Sequence, residues 1–216
     1  MHILVLAPHT DDGEFGCGGT IARFVDEGHE VHYVAFSAAE NAVPPDRPPD
    51  ILRTEVMEAT AILGIRRDHV QVLKFEVRTF PTFRQEILQV MVDLAANLQP
   101  DMVFVPNSAD THQDHQTISS EGFRAFKKTS IMGYELPWNN LTFTTTGFIV
   151  LDDEQVEKKI QALRCYRSQS DRPYATAEFV RSLASVRGTQ IGLKYAEAFE
   201  VIRTIRKGTQ SARFVE

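Results

Sequence analysis

The chain has 216 residues, 43% of them hydrophobic and 14 of them phenylalanine, which is ample for one domain with a sizeable core and short for two. Its formal net charge is −6, and its lysines and arginines are scattered, which argues against a nucleic-acid footprint. Cys17 and Cys165 form no disulfide framework, no segment approaches transmembrane length, and the N-terminus lacks signal-peptide form. We therefore expect a single cytoplasmic domain over residues 1–216, with reduced thiols and neither a nucleic-acid nor a membrane partner.

In chain order, Ile3–Ala7 is a continuous apolar run, the pattern of a strand buried on both faces. Gly18–Glu27 reads as a helix stopped by Gly28, and Val31–Phe36 as a second strand. Asn41–Asp50, carrying Pro44, Pro45, Pro48 and Pro49, reads as a loop. A helix over Ile51–Leu63 ends at Gly64, and a third strand follows at Val70–Phe75. Phe83–Leu98 is an amphipathic helix closed by Pro100, Asp101–Pro106 a fourth buried strand, and Gln116–Lys127 a helix behind it. This alternation predicts an α/β fold whose parallel sheet is covered by helices on both faces. The last third departs from it, with strands at Gly133–Leu136, Thr142–Leu151 and Ala198–Arg206 and helices at Glu154–Cys165 and Thr176–Val186.

Ligand sites in open α/β sheets lie beyond the carboxyl ends of the strands. Pro8-His9-Thr10-Asp11-Asp12 follows the first strand and Asp110-Thr111-His112-Gln113-Asp114-His115 follows the fourth, each with histidine and carboxylate together. In the common doubly wound order these strands are neighbours, so the two loops would meet. His9, Asp12 and His115 would then supply the two-histidine, one-carboxylate set of a catalytic zinc site, an inventory suited to amide or ester hydrolysis. Asp11 could accept a proton, His112 could polarise or protonate, and Asp114 could orient a histidine. Iron fits the same donors. Residue by residue, each group also reads as an ordinary solvated loop side chain or helix cap.

The segments PHTDDGEFGCGGTIARFVDEGHEV and HQDH resemble the two hallmark motifs of the PIG-L/LmbE-like zinc-dependent N-acetylglucosaminyl deacetylases. ILRTEVMEATAILGI, KIQALRCYRSQ and YAEAF are similar to further family segments in the same order, so the resemblance covers nearly the whole chain. It implies a Rossmann-like three-layer domain with a mostly parallel sheet and a C-terminal strand/helix extension. It also implies one zinc per chain on His9, Asp12 and His115, Asp11 as general base, His112 and Asp114 in catalytic support, and Arg53 in contact with substrate. The implied substrate is a small N-acylated amino-sugar conjugate; a non-sugar N-acyl amide is the alternative. Thr10 stands where the family usually has proline and Gly13 where many members have glutamate, but neither change removes a ligand.

Gly16-Cys17-Gly18-Gly19 does not have dinucleotide-binding spacing and follows two carboxylates that would repel a pyrophosphate, so close packing of helix on strand is expected there. Trp138, Asn139 and Asn140 fall in a loop with the composition of a sugar-contacting wall. His2, His29, His32 and His69 lie outside both motifs and read as structural or exposed. No heptad pattern addresses assembly, and the sequence is compatible with a homo-oligomer.

Overall fold

The computed structural model describes residues 1–43 and 47–206. Part of the expected proline-rich loop, 44–46, lies outside them. Seven strands, β1 (His2–His9), β2 (Glu30–Ser37), β3 (Val70–Val72), β4 (Met102–Pro106), β5 (Ser130–Tyr134), β6 (Gly147–Leu151) and β7 (Tyr195–Arg203), form one sheet. Their order is β3-β2-β1-β4-β5-β7-β6. The first five run parallel, and β7 is antiparallel to both β5 and β6.

Residue alternation along the central strands separates two cores. Ile3, Val5 and Ala7 face one side, together with residues from α1 (Asp12–Asp26), α2 (Ile51–Ile62), α5 (Asp153–Arg164) and α6 (Ala177–Thr189). Leu4 and Leu6 face the other, against α3 (Arg84–Leu98) and α4 (Gln113–Ala125). This is the three-layer arrangement expected, and β1 and β4 are paired as assumed, Ile3 opposite Met102 and Val5 opposite Phe104. The C-terminal third contributes the antiparallel edge and the helices α5 and α6. Among the described residues no helix is long and apolar enough to cross a membrane.

Several element boundaries differ from expectation, and two of the shifts matter. α1 begins at Asp12 instead of Gly18, so the glycine run lies inside the helix. Glycine is a poor helix former, but here a side chain would not fit: a Cβ on Gly16 would lie 2.2 Å from the Tyr134 ring and one on Gly19 2.4 Å from Leu151. The helix kinks at Cys17 (φ −145°, ψ 26°). The backbone groups around the kink find buried partners, with the amides of Gly19 and Thr20 donating to Glu197 (3.0 and 2.7 Å) and Lys159 donating to the Phe15 carbonyl (2.6 Å). Likewise α4 begins at Gln113, which places Asp114 and His115 on its first turn and not on a free loop. The strands of the last third are also displaced: β5 spans Ser130–Tyr134, and β6 is confined to Gly147–Leu151.

Candidate metal centre

The reversal of strand order between β1 and β4 opens a crevice at their carboxyl ends, where such sheets bind ligands. His9 is the last residue of β1, and Asp12 is the first of α1. The Asp12 carboxylate accepts the His9 backbone N–H (2.9 Å), which folds the His9–Asp12 corner onto itself. Asp12 Oδ2 then lies 3.1 Å from His9 Nδ1 and 3.2 Å from His115 Nε2, and the two nitrogens are 3.4 Å apart. Donors at about 2.0–2.1 Å from a tetrahedral ion stand roughly 3.3–3.4 Å from one another. The triangle fits one face of such a coordination sphere.

Each imidazole is oriented from behind. His9 Nε2 pairs with Asp114 Oδ2 at 3.0 Å, and His115 Nδ1 pairs with Asp110 Oδ2 at 2.8 Å, so the other nitrogen of each ring is turned to the triangle. Asp114 is in turn held by the backbone amides of Arg78 (2.6 Å) and Phe80 (3.2 Å). The histidine it orients is His9, 105 positions away in the chain, and not one of its sequence neighbours. Asp110, which orients His115, also accepts the His112 backbone N–H (2.8 Å). Its position in the second motif was visible in the sequence, but its role was not, because that role depends on where α4 starts.

The electrostatics are those of a buried charge cluster. Burial lowers the His9 and His115 pKa values, but the Asp12 carboxylate and the carboxylate behind each ring outweigh it, raising them to about 9 and about 10. Burial pushes Asp12 up, and the two histidines overcome that to hold it well below the usual carboxylate range. Asp11 is raised to about 6 by burial and by Asp12, against the opposing charges of Arg172 and His9. His112 is lowered by burial and by the charges of His115 and His9. It caps α4 by accepting the Asp114 N–H at Nδ1 (3.1 Å), which commits that lone pair and leaves Nε2 as its N–H donor. A nitrogen of His112 also lies within 4.8 Å of those of His9 and His115.

The triangle opens into a cavity of about 250 Å³ lined by Asp11, His112, Trp138, Asn139, Arg172 and Tyr174, among others. Trp138 and Tyr174 stack at 3.8 Å between centroids, with 10° between their planes. Arg53 does not line it: its guanidinium donates to Glu40 (2.6 Å) and to the carbonyls of Val72 (2.9 Å) and Leu73 (3.0 Å). A second crevice behind Phe15 and Trp138 has room for about one water (≈ 20 Å³) and contains the ion pairs of Lys159 with Glu197 and Arg187 with Glu135.

Beneath the His9–Asp12 corner, the Thr10 carbonyl lies within hydrogen-bond reach of the Tyr33 (2.9 Å) and Tyr166 (2.6 Å) hydroxyls. Both hydroxyls also contact the buried Glu14 carboxyl, whose pKa burial raises to about 8 even though the two tyrosines oppose it. This network holds the backbone of Thr10 without the proline common in the resembling family.

A Rossmann-like sheet with His-Asp-His donors at its switch point defines the class, an α/β enzyme with a site able to hold a divalent metal. Residues 4–126 match the model of the GlcNAc-PI de-N-acetylase family, PIG-L, and the chain belongs to that family of N-deacetylases. It is 28% identical to the probable N-acetyl-alpha-D-glucosaminyl L-malate deacetylase 2 of Bacillus anthracis, over 78% of this chain and 81% of that protein. It is 24% identical to the diacetylchitobiose deacetylase of Thermococcus kodakarensis, over 93% of this chain and 82% of that one. Among solved structures, a conserved protein of Thermus thermophilus superposes with a TM-score of 0.77 at 27% identity, covering 94% of this chain and 95% of its own.

Proposed function

We propose that this chain hydrolyses the N-acetyl amide of a small amino-sugar conjugate, with His9, Asp12 and His115 holding one zinc ion. The observation that carries the reading is the donor triangle of 3.1, 3.2 and 3.4 Å, opening onto a cavity that Asp11 and His112 also line. The bound ion would supply a Lewis acid and a water of lowered pKa. Asp11 would take a proton from the attacking water and hand it to the amide nitrogen as the C–N bond breaks. The products are acetate and the free amine. His112, donating through Nε2, stabilises the negative charge that develops on the carbonyl oxygen. Asp114 and Asp110 hold the two ligand imidazoles in register.

At about 250 Å³ the cavity lies just below the usual range of small-molecule pockets, roughly 300–1,000 Å³, which suits a single sugar residue with the rest of the conjugate outside. Trp138, Tyr174 and Asn139 give it an aromatic and amide wall. Arg53 acts one step removed in this reading. By clamping Glu40 it holds the corner at Ala39 (φ 50°), a cavity-lining residue. The amino-sugar substrates named for the Bacillus and Thermococcus relatives support the same substrate class. The test is acetate release from a panel of N-acetylglucosaminides and non-sugar N-acetyl amines. Preference for the glucosaminides supports the reading, and turnover of the non-sugar amides alone rejects it.

A further inference from the structure

A second group of metal-ligating side chains lies at the opposite end of the sheet, outside both motifs. Glu30 and His32 are two residues apart on β2 and so project from the same face. His69 directly precedes β3, whose Val70 is in register with Tyr33 of β2. The sheet ladder thus fixes three donors from two adjacent elements. His32 Nε2 is 2.9 Å and His69 Nε2 3.7 Å from one oxygen, Glu30 Oε1. The two imidazoles stack at 4.1 Å with 18° between their planes, and one ligand atom from each of the three residues lies within 4.8 Å of the others. The histidine side chains are 14% and 12% exposed and Glu30 44%, so the rings are held in place while the carboxylate edge remains open to solvent. On the next strand His2 is in register with Glu30 and shares its face. The nearby guanidinium of Arg66 is committed to Asp68 (2.6 and 3.1 Å).

We infer that Glu30, His32 and His69 form a second, peripheral site for a divalent transition-metal ion of the zinc class. Two imidazoles and one carboxylate are donors suited to such an ion, and an open edge leaves room for water to complete the coordination. Seven strand positions separate Glu30 from Ser37, which is in register with His9, so the two sites lie about 23 Å apart at the usual rise per residue. The site does not line the catalytic cavity. Its ion would tie β2 to the segment entering β3 at the edge of the sheet. The inference does not depend on the proposed deacetylation.

The experiment is calorimetric titration of the chelator-treated full chain with Zn²⁺, using variants that remove one site at a time. The wild-type chain is expected to take up two zinc ions, the variant His32→Gln/His69→Gln one, and His9→Ala one. The His32→Gln/His69→Gln variant should keep its deacetylase rate within about twofold. Glu30→Gln, a conservative change at an open position, should weaken the second binding event at least tenfold and provides the test should the double variant not fold. A His9→Ala variant that binds no zinc, a double variant that binds as many ions as the wild-type chain, or a second event unaffected by Glu30→Gln would overturn the inference.

Discussion

Asp11 and Asp12 are adjacent and both buried, yet burial has opposite outcomes for them. Two imidazoles face Asp12 and keep it ionised, as a metal ligand must be. Burial and the neighbouring Asp12 outweigh the charges of Arg172 and His9 and a backbone hydrogen bond at Asp11, and its carboxyl is raised to about 6. A carboxyl in that range is ionised at neutral pH but remains basic enough to take a proton. Asp11→Asn is expected to lower kcat by about 10²–10⁴-fold with metal content unchanged, read by acetate release and elemental analysis of the same sample. As a base, Asp11 works only when ionised, so the wild-type rate should fall on the acid side as its carboxyl takes up a proton. The carboxylates behind the ligands act differently. Asp110→Asn or Asp114→Asn should weaken metal affinity by about 10–100-fold, and unchanged affinity in both would remove their assigned role.

At the scale of elements, the kinked start of α1 is what allows the site to form. Glycines at 16 and 19 let the helix lie against Tyr134 and Leu151, and Lys159 and Glu197 satisfy the backbone groups that the kink at Cys17 leaves. Gly16→Ala would press a methyl group into the Tyr134 ring, a buried overpacking that costs about 1–3 kcal/mol. A thermal melt should show Tm lowered by several degrees, at roughly 2–4 °C per kcal/mol for a chain of this size. The close packing was legible from the glycine run, but its helical state was not, because glycine's low propensity hides a helix whose stability comes from tertiary contact. The start of α4 was obscured for a similar reason: the polar run Asp110–Gln116 has loop composition, while the capping by His112 that begins the helix depends on three-dimensional geometry. The buried strands were legible as continuous apolar runs, whereas the meeting of the two motifs rested on an assumed doubly wound order, which the β1–β4 pairing bears out. The setting of Arg53 was not legible, because its guanidinium is engaged by carbonyls at and just beyond the end of β3 that no local pattern reveals.

For the whole molecule, the candidate metal centre joins two halves of the chain across the β1–β4 switch point, with proposed ligands 106 positions apart. In chelator-treated protein His9 and His115 hold protons up to about pH 9 and about pH 10. A metal must displace those protons, so uptake at pH 7 should release them, and apparent affinity should climb as pH rises toward that range. Titration calorimetry in buffers of different ionisation enthalpy reads the release directly, and a buffer-independent heat would contradict it. If this centre drives N-deacetylation, activity must follow the restoration of metal. Chelator-treated enzyme should release no acetate from an N-acetylglucosaminide and regain its rate as zinc fills the site of His9, Asp12 and His115. Undiminished acetate release from the metal-free chain, or from a His115→Ala variant, would leave this centre without a part in the reaction.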